Sequence, residues 1–200
     1  IGDEPAEVTL NLAIPREWHP SLYVDIDEVS APEGEITQYA SRDNNYTQYR
    51  KILAPNEEAT VSIKFRSLTY KTEYFVKGAV NKFSHPPELW LYTEPEAYIE
   101  SDAPQIQTLA STLVGSMVSP INIAQRTYDY VTSSLTYEVQ TEDHGAIWAY
   151  ENRRGDCTEF SNLFTALMRA SGIPARTVIG YLCKNEIKSG VSLHQWAEFY

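Results

Sequence analysis

The feature that most constrains the fold is a change in hydrophobic periodicity near the middle of the chain. Before Ser84-His85-Pro86-Pro87, apolar and polar residues alternate, as they do in strands with one buried face. After an irregular acidic stretch that runs to Pro104, apolar residues recur every three or four positions, as in amphipathic helices. Because strands and helices are segregated, the sequence predicts an α+β fold, with an antiparallel β domain at 1–86, a linker at 87–104 and a second domain at 105–200.

The first half contains two clear period-two patterns, at 7–14 and 59–66, and weaker ones at 22–28 and 68–76. Turn-forming residues separate them, as in Ala31-Pro32-Glu33-Gly34. These short alternating segments predict a small antiparallel sandwich or barrel.

The second half opens with two predicted helices. Apolar residues of the first have helical spacing, and Ser119-Pro120 is a good start for the second because proline suits the first helical position. A short helix is expected at 145–152. The residues predicted to face inward are Ile106, Leu109, Ala110, Leu113, Val114 and Met117 in the first helix, and Ile123, Ala124, Thr127, Val131 and Leu135 in the second.

A further amphipathic helix is predicted to begin at Cys157, one of only two cysteines. Asp156 and Glu159 have the spacing of a capping box, and Ser171-Gly172 ends the pattern. The amide groups and dipole at a helix start stabilise a thiolate, as a nucleophilic cysteine requires. Arg153 and Arg154 are expected to add to this effect, whereas Asp156 and Glu159 oppose it. Without a partner for the thiol, a small apolar side chain packed under the preceding loop is the favoured interpretation.

A partner for this thiol lies 37 residues further on, in the alternating segment 192–200. His194 shares one face of that strand with Trp196, Glu198 and Tyr200. A cysteine and a histidine brought together in this way form a nucleophile and its base. We expect Cys183 to be a core thiol, His144 to lie in a loop, and Tyr137 and Trp148 to be core aromatics, with a pocket as the alternative.

Composition excludes several classes of function. The net charge of −11 disfavours nucleic acid, and the Cys and His spacings fit neither a disulfide framework nor a zinc site. No apolar segment approaches the roughly 20 residues that cross a bilayer. We therefore expect no cofactor, no metal and no membrane span, while a cytoplasmic or extracytoplasmic location and any oligomeric state remain open.

The segments "RRGDCTEFSNLFTALMRASGIPARTVIGY" and "HQWAEFY" resemble the core motif of the transglutaminase-like superfamily. That family includes protein-crosslinking transglutaminases, peptide N-glycanases and microbial candidate cysteine proteases. The resemblance covers roughly the second half of the chain and implies a papain-like or transglutaminase-like core, in which a helix bundle packs on an antiparallel sheet. It also implies that Cys157 is the nucleophile and His194 its base.

The resemblance implies a third catalytic residue, usually an Asp on the strand after the histidine strand. The sequence ends six residues after His194, at Tyr200, within an alternating strand. We therefore expect a core truncated at its C-terminus, with Glu198 as the residue at hand that could orient His194.

The expected function is thiol-dependent acyl transfer on amide bonds of a protein or peptide substrate, as in a peptidase, deamidase or amidase. Hydrolysis of the thioester is favoured. Transfer to a lysine amine, as in a crosslinking enzyme, and a non-catalytic binding or scaffold module are the alternatives.

Overall fold

The computed structural model describes residues 4–15, 17, 22–41, 44–71, 73, 87–181 and 193–200. Its contacts divide the chain into two compact units, Ile1–Phe75 and Val76–Tyr200. The described part of the first unit is built from strands, and that of the second combines helices and strands, so the predicted α+β class is confirmed. The boundary between the two units follows Phe75, which is earlier than the predicted boundary at residue 86.

In the described residues of the first unit, the strands are β1 Ala6–Ile14, β2 Leu22–Ser30, β3 Glu35–Ser41, β4 Asn44–Leu53 and β5 Ser62–Thr69. They form two antiparallel sheets, one of order β1-β4-β3 and one of order β2-β5. The central strand β4 is the most buried, through Thr47, Tyr49 and Leu53. The β3–β4 hairpin was not among the predicted alternating segments, and the strand predicted from residue 59 begins at Ser62.

A carboxylate fastens the turn that follows β4. Glu57 Oε1 lies 2.6 Å from Lys51 Nζ, and Glu57 Oε2 accepts a hydrogen bond of 2.8 Å from the backbone N–H of Ala54. The hydrogen bond from Lys51 is the main reason that the pKa of Glu57 is lowered from its usual value. The ionised carboxylate therefore stabilises this turn.

The described part of the second unit begins with a 3-10 helix, Pro87–Tyr92, which is followed by four α-helices and two pairs of strands. These elements are α1 Pro104–Val114, α2 Pro120–Ser134, β6 Thr136–Tyr137, α3 Ala146–Asn152, β7 Arg154–Gly155, α4 Cys157–Ala170, β8 Ala175–Tyr181 and β9 Leu193–Phe199. Among the described residues, no helix is long and apolar enough to span a bilayer. Strands β6 and β7 pair in parallel, and β8 and β9 pair antiparallel.

Helix α4 is the centre of the second unit's core. Its residues Leu163, Ala166, Leu167 and Met168 are fully buried. The inward face predicted for α2 is confirmed, whereas α1 ends at Val114, so that Met117 packs on the core from outside the helix. The residues that α4 meets in two apolar clusters are Ile106, Ala110, Ile123, Ala124, Val131, Leu135, Ala146, Ala149, Ile173 and Ala175.

The segment predicted as a linker, 87–104, is instead part of the second unit. Ile99 lies in the core, and the buried guanidinium of Arg169 holds the neighbouring backbone. Its Nη1 donates to the carbonyl of Glu94 at 2.6 Å, and its Nη2 lies 2.8 Å from Glu96 Oε1. Prolines and acidic residues indicated irregular backbone correctly, but composition does not report whether such backbone is packed.

Candidate active site

The start of α4 is fixed by the predicted capping box. Asp156 is the N-cap residue, and its Oδ1 accepts a hydrogen bond of 3.0 Å from the N–H of Thr158. Glu159 Oε2 accepts from the N–H of Asp156 at 2.8 Å, so both halves of the box are present. Asp156 Oδ2 also accepts from the backbone N–H of Gln140, at 3.1 Å. The helix start is therefore tied to the loop that follows β6.

Glu159 has a second role that the sequence did not indicate. Its side chain is fully buried, and its Oε1 accepts a hydrogen bond of 2.8 Å from the backbone N–H of His144. Asn162 Nδ2 donates to the backbone carbonyl of His144 at 2.9 Å. A Cβ on Gly155 would lie 2.3 Å from Glu159 Cβ, so this approach requires glycine. The backbone on both sides of α3 is thus held against the first turn of α4.

Cys157 is the first residue of α4, as predicted, and its thiol is free and partly buried. Within the described residues, no acceptor takes its backbone N–H, which is the usual state of an amide in the first turn of a helix. The position therefore combines a reachable sulfur with an amide donor and the positive end of a helix dipole.

The two arginines before the helix are engaged elsewhere. Arg154 Nη1 lies 3.0 Å from Glu138 Oε1, and its guanidinium lies 5.7 Å from the centre of the Trp148 ring. Arg153 donates to the Tyr130 hydroxyl and lies over the Tyr150 ring. Among the described residues neither guanidinium donates a hydrogen bond to the thiol, so the support of these two cations for a thiolate stays a prediction.

Tyr137 lies beside the helix start, on β6. The expectation that it is a core aromatic is wrong, since 62% of the residue is exposed. Its ring lies 6.1 Å from that of Phe160 in α4. Desolvation raises the pKa of the Tyr137 phenol, and the negative charges of Cys157, Asp156 and Glu159 raise it further. The phenol therefore lies within electrostatic reach of the thiol.

His194 lies on β9, opposite Gly180 of β8. Its chain neighbour Gln195 fastens β9 to α4, because Gln195 Nε2 donates to Asn162 Oδ1 at 2.9 Å and lies 3.5 Å from the carbonyl oxygen of Thr158. The residues that follow Cys157 and His194 in the chain are thus in contact. Among the described residues no hydrogen bond joins the two side chains themselves, so their pairing stays a prediction.

Glu198 has partners other than His194. Its Oε2 accepts hydrogen bonds from Arg176 Nη2 at 3.0 Å and Nε at 3.2 Å, and its Oε1 accepts from Trp196 Nε1 at 3.3 Å. The Arg176 guanidinium also lies over the rings of Tyr92 and Tyr200. The carboxylate is committed to this cluster and is not the group that orients the histidine.

The remaining candidates have simpler roles. His144 stacks on Trp148, with ring centres 4.0 Å apart, in the loop where the sequence placed it. Trp148 is partly buried rather than a full core residue. Cys183 lies outside the described residues. Within the described part of the chain, no group of three or more acidic, His or Cys side chains could hold a metal ion.

Comparison with known proteins shows which family the second half of the chain resembles. Residues 107–200 match the model of the transglutaminase-like superfamily. This part of the chain is a transglutaminase-like core. The resemblance seen in the Gly-Asp-Cys and His-Gln-Trp motifs is therefore confirmed.

Similar proteins extend the likeness beyond the core. A candidate cysteine protease from Cytophaga hutchinsonii has the same fold, with a TM-score of 0.75 and 20% identity over 99% of this chain and 69% of its own. The uncharacterised YebA of Bacillus subtilis is 27% identical over 70% of this chain and 21% of its own length. An uncharacterised protein of Haemophilus influenzae is 21% identical over 85% of this chain and 49% of its own. This chain thus spans about a fifth and about half of those two relatives.

Proposed function

We propose that this transglutaminase-like core performs thiol-dependent acyl transfer on amide bonds, with Cys157 as nucleophile and His194 as its base. The observation that carries the proposal is the position of Cys157, a reachable thiol at the first residue of a helix whose start is held by four hydrogen bonds to side-chain oxygens of Asp156 and Glu159. The contact of Gln195 with that helix supports the proposal at the level of the backbone, because it brings the strand that carries His194 to the first turns of the helix. The side chains of Gln195 and His194 themselves point to opposite faces of the strand.

In the proposed reaction, His194 takes the thiol proton and the thiolate of Cys157 forms a bond to the amide carbon. The C–N bond then breaks as His194 returns the proton to the leaving nitrogen, which leaves a thioester on Cys157. Water, deprotonated by His194, completes a peptidase or amidase reaction. A substrate amine in place of water would complete a crosslinking reaction.

An acyl-enzyme experiment tests this proposal. p-Nitrophenyl acetate should acetylate Cys157 in a burst of nitrophenolate, with the modified residue identified by peptide mass spectrometry. Cys157→Ala should abolish the burst, and His194→Ala should slow it at neutral pH about tenfold or more, since general bases contribute about 10² to 10⁴. His144→Ala is the matched control, because that histidine lies in the loop held by Glu159 yet has no proposed role.

Three results would contradict the proposal: an undiminished burst in Cys157→Ala, equal rates in the wild type and His194→Ala, or no burst from a thiol that iodoacetamide still alkylates. The last result would favour a binding or scaffold module. Adding glycine ethyl ester after the burst separates the two enzyme classes, because an amine-dependent product indicates transfer and free acetate indicates hydrolysis.

A further inference from the structure

The acyl-transfer reaction proposed for Cys157 requires donors for the negative oxygen that forms on the attacked carbonyl carbon. The backbone N–H of Cys157 is one such donor and is unused within the described residues. A second donor has to lie beside the helix start, expose a hydrogen to the substrate and have no other acceptor. Three aromatic or basic candidates lie near this point, namely Tyr137, His144 and Arg154.

Arg154 is already engaged, because it pairs with Glu138. The ring of His144 is stacked on Trp148 and lies in the loop before α3, not on the strand pair that precedes Cys157. Tyr137 lies on that strand pair, and no described residue accepts from its hydroxyl or donates to it. More than half of that residue is open to solvent, so a substrate can reach it.

Strand geometry directs the Tyr137 side chain toward the helix start. Tyr137 pairs with Gly155 across the parallel β6–β7 ladder, and paired residues in neighbouring strands point to the same face of a sheet. A Cβ on Gly155 would point at the Cβ of Glu159, in the first turn of α4. The contact between the Tyr137 and Phe160 rings independently places the tyrosine on that side.

We propose that Tyr137 is a catalytic residue whose hydroxyl donates a hydrogen bond to the oxyanion, together with the backbone N–H of Cys157. The proposal rests on the acyl-transfer function assigned to Cys157. Its chemistry is consistent, because a raised pKa keeps the Tyr137 phenol protonated, and therefore a donor, at neutral and moderately alkaline pH. No bond to Tyr137 forms or breaks, and the hydroxyl keeps its proton throughout.

The test separates acylation from simple alkylation in Tyr137→Phe, which keeps the ring and removes only the oxygen. Acylation by p-nitrophenyl acetate passes through an oxyanion, whereas alkylation by iodoacetamide displaces iodide at a saturated carbon and creates none. We expect the acylation burst to slow about tenfold or more, since removing one oxyanion donor costs about 10² to 10³ in well-formed sites. The iodoacetamide rate should stay within about twofold. Tyr128→Phe, which removes the hydroxyl of another exposed tyrosine, is the control and should change neither rate.

The outcomes distinguish this inference from the function beneath it. A burst that is lost in Cys157→Ala but unchanged in Tyr137→Phe would overturn the role of Tyr137 and leave the nucleophile in place. Equal slowing of acylation and alkylation in Tyr137→Phe would also overturn it, because a general disturbance of the helix start would affect both. The absence of any burst in the wild type would refute the acyl-transfer function, and the assignment of Tyr137 with it.

Discussion

Replacing the buried carboxylate of Glu159 should destabilise the second unit more than any change at an exposed acidic residue. The side chain is fully buried and accepts one hydrogen bond from the N–H of Asp156 and one from the N–H of His144, each 2.8 Å long. Hydrogen bonds to a charged group contribute about 1.5–3 kcal/mol each. Because both donors are only partly buried, water can replace part of what is lost. We therefore expect Glu159→Ala to lower the free energy of unfolding by about 3 kcal/mol.

The isosteric variant makes the prediction sharper. In Glu159→Gln, one carbonyl oxygen can still accept a hydrogen bond, but the amide nitrogen now faces a backbone donor. One of the two bonds is lost, so the expected destabilisation is about 1.5 kcal/mol, between the wild type and Glu159→Ala. Glu151→Ala, at an exposed position on α3, is the control and should change stability by less than about 0.5 kcal/mol.

Urea denaturation followed by circular dichroism at 222 nm measures these differences. All α-helices in the described part of the chain belong to the second unit, so the helical signal reports on that unit. Midpoints of the three variants should rank in the order Glu151→Ala, Glu159→Gln, Glu159→Ala, from highest to lowest. A loss below about 1 kcal/mol in Glu159→Ala, or an equal loss in both Glu159 variants, would refute the argument that acceptor count sets the cost.

Three further predictions follow from contacts elsewhere. Gly155→Ala would place a Cβ 2.3 Å from Glu159 Cβ, so we expect a loss of about 1–3 kcal/mol by the same assay, and an unchanged midpoint would contradict this. Gln195→Leu removes the donor that fastens β9 to α4, and should slow the acetylation burst while leaving iodoacetamide alkylation within about twofold; equal burst rates would count against the fastening. The lowered pKa of Glu57 means that its pair with Lys51 stabilises the turn fully above about pH 4.5 and ceases to do so as pH falls through the lower, folded-state pKa. Amide exchange in that turn should therefore be faster in Glu57→Gln than in the wild type at about pH 6, and the difference should shrink as pH falls below about 4.5, whereas a pH-independent ratio would rule the pair out.

The sequence was most informative where structure is set by near neighbours. The start of α4 depends on Asp156 and Glu159, which are three residues apart, and the start of α2 on an adjacent serine and proline. The Asp156–Glu159 box satisfies amides within one turn, and Pro120 has no amide hydrogen to satisfy, so no distant residue is needed to predict either helix start. The inward face of α2 was readable for the same reason, because a single period of 3.6 fixes which residues face the core.

Long-range contacts decided the features that were not predicted. Glu159 was recognised as half of a capping box, but its bond to His144 spans 15 residues and leaves no mark in local spacing. Tyr137 lies on a strand of two residues, too short to show a period, so its exposure could not be read. The β3–β4 hairpin was missed because its strands contain few aliphatic residues, although Thr47 and Tyr49 suit a strand and become buried when β4 lies between two neighbours.

The same long-range contacts shape the polar loop between β6 and α3, beside the start of α4. Two buried side chains of α4 bind the backbone of His144: Glu159 accepts from its N–H, and Asn162 donates to its C=O. Asp156 accepts from the backbone N–H of Gln140. The loop after β6 is therefore shaped by the helix it approaches, and Tyr137 enters this loop from a strand paired with the residues just before Cys157. The Cys157 thiol, the Cys157 N–H and the Tyr137 hydroxyl thus lie on α4 or on segments that contact it. Donors held in place in this way need no rearrangement when charge develops in a reaction. Because Asn162 also accepts from Gln195, one helix turn connects the proposed oxyanion donors to the strand that carries His194.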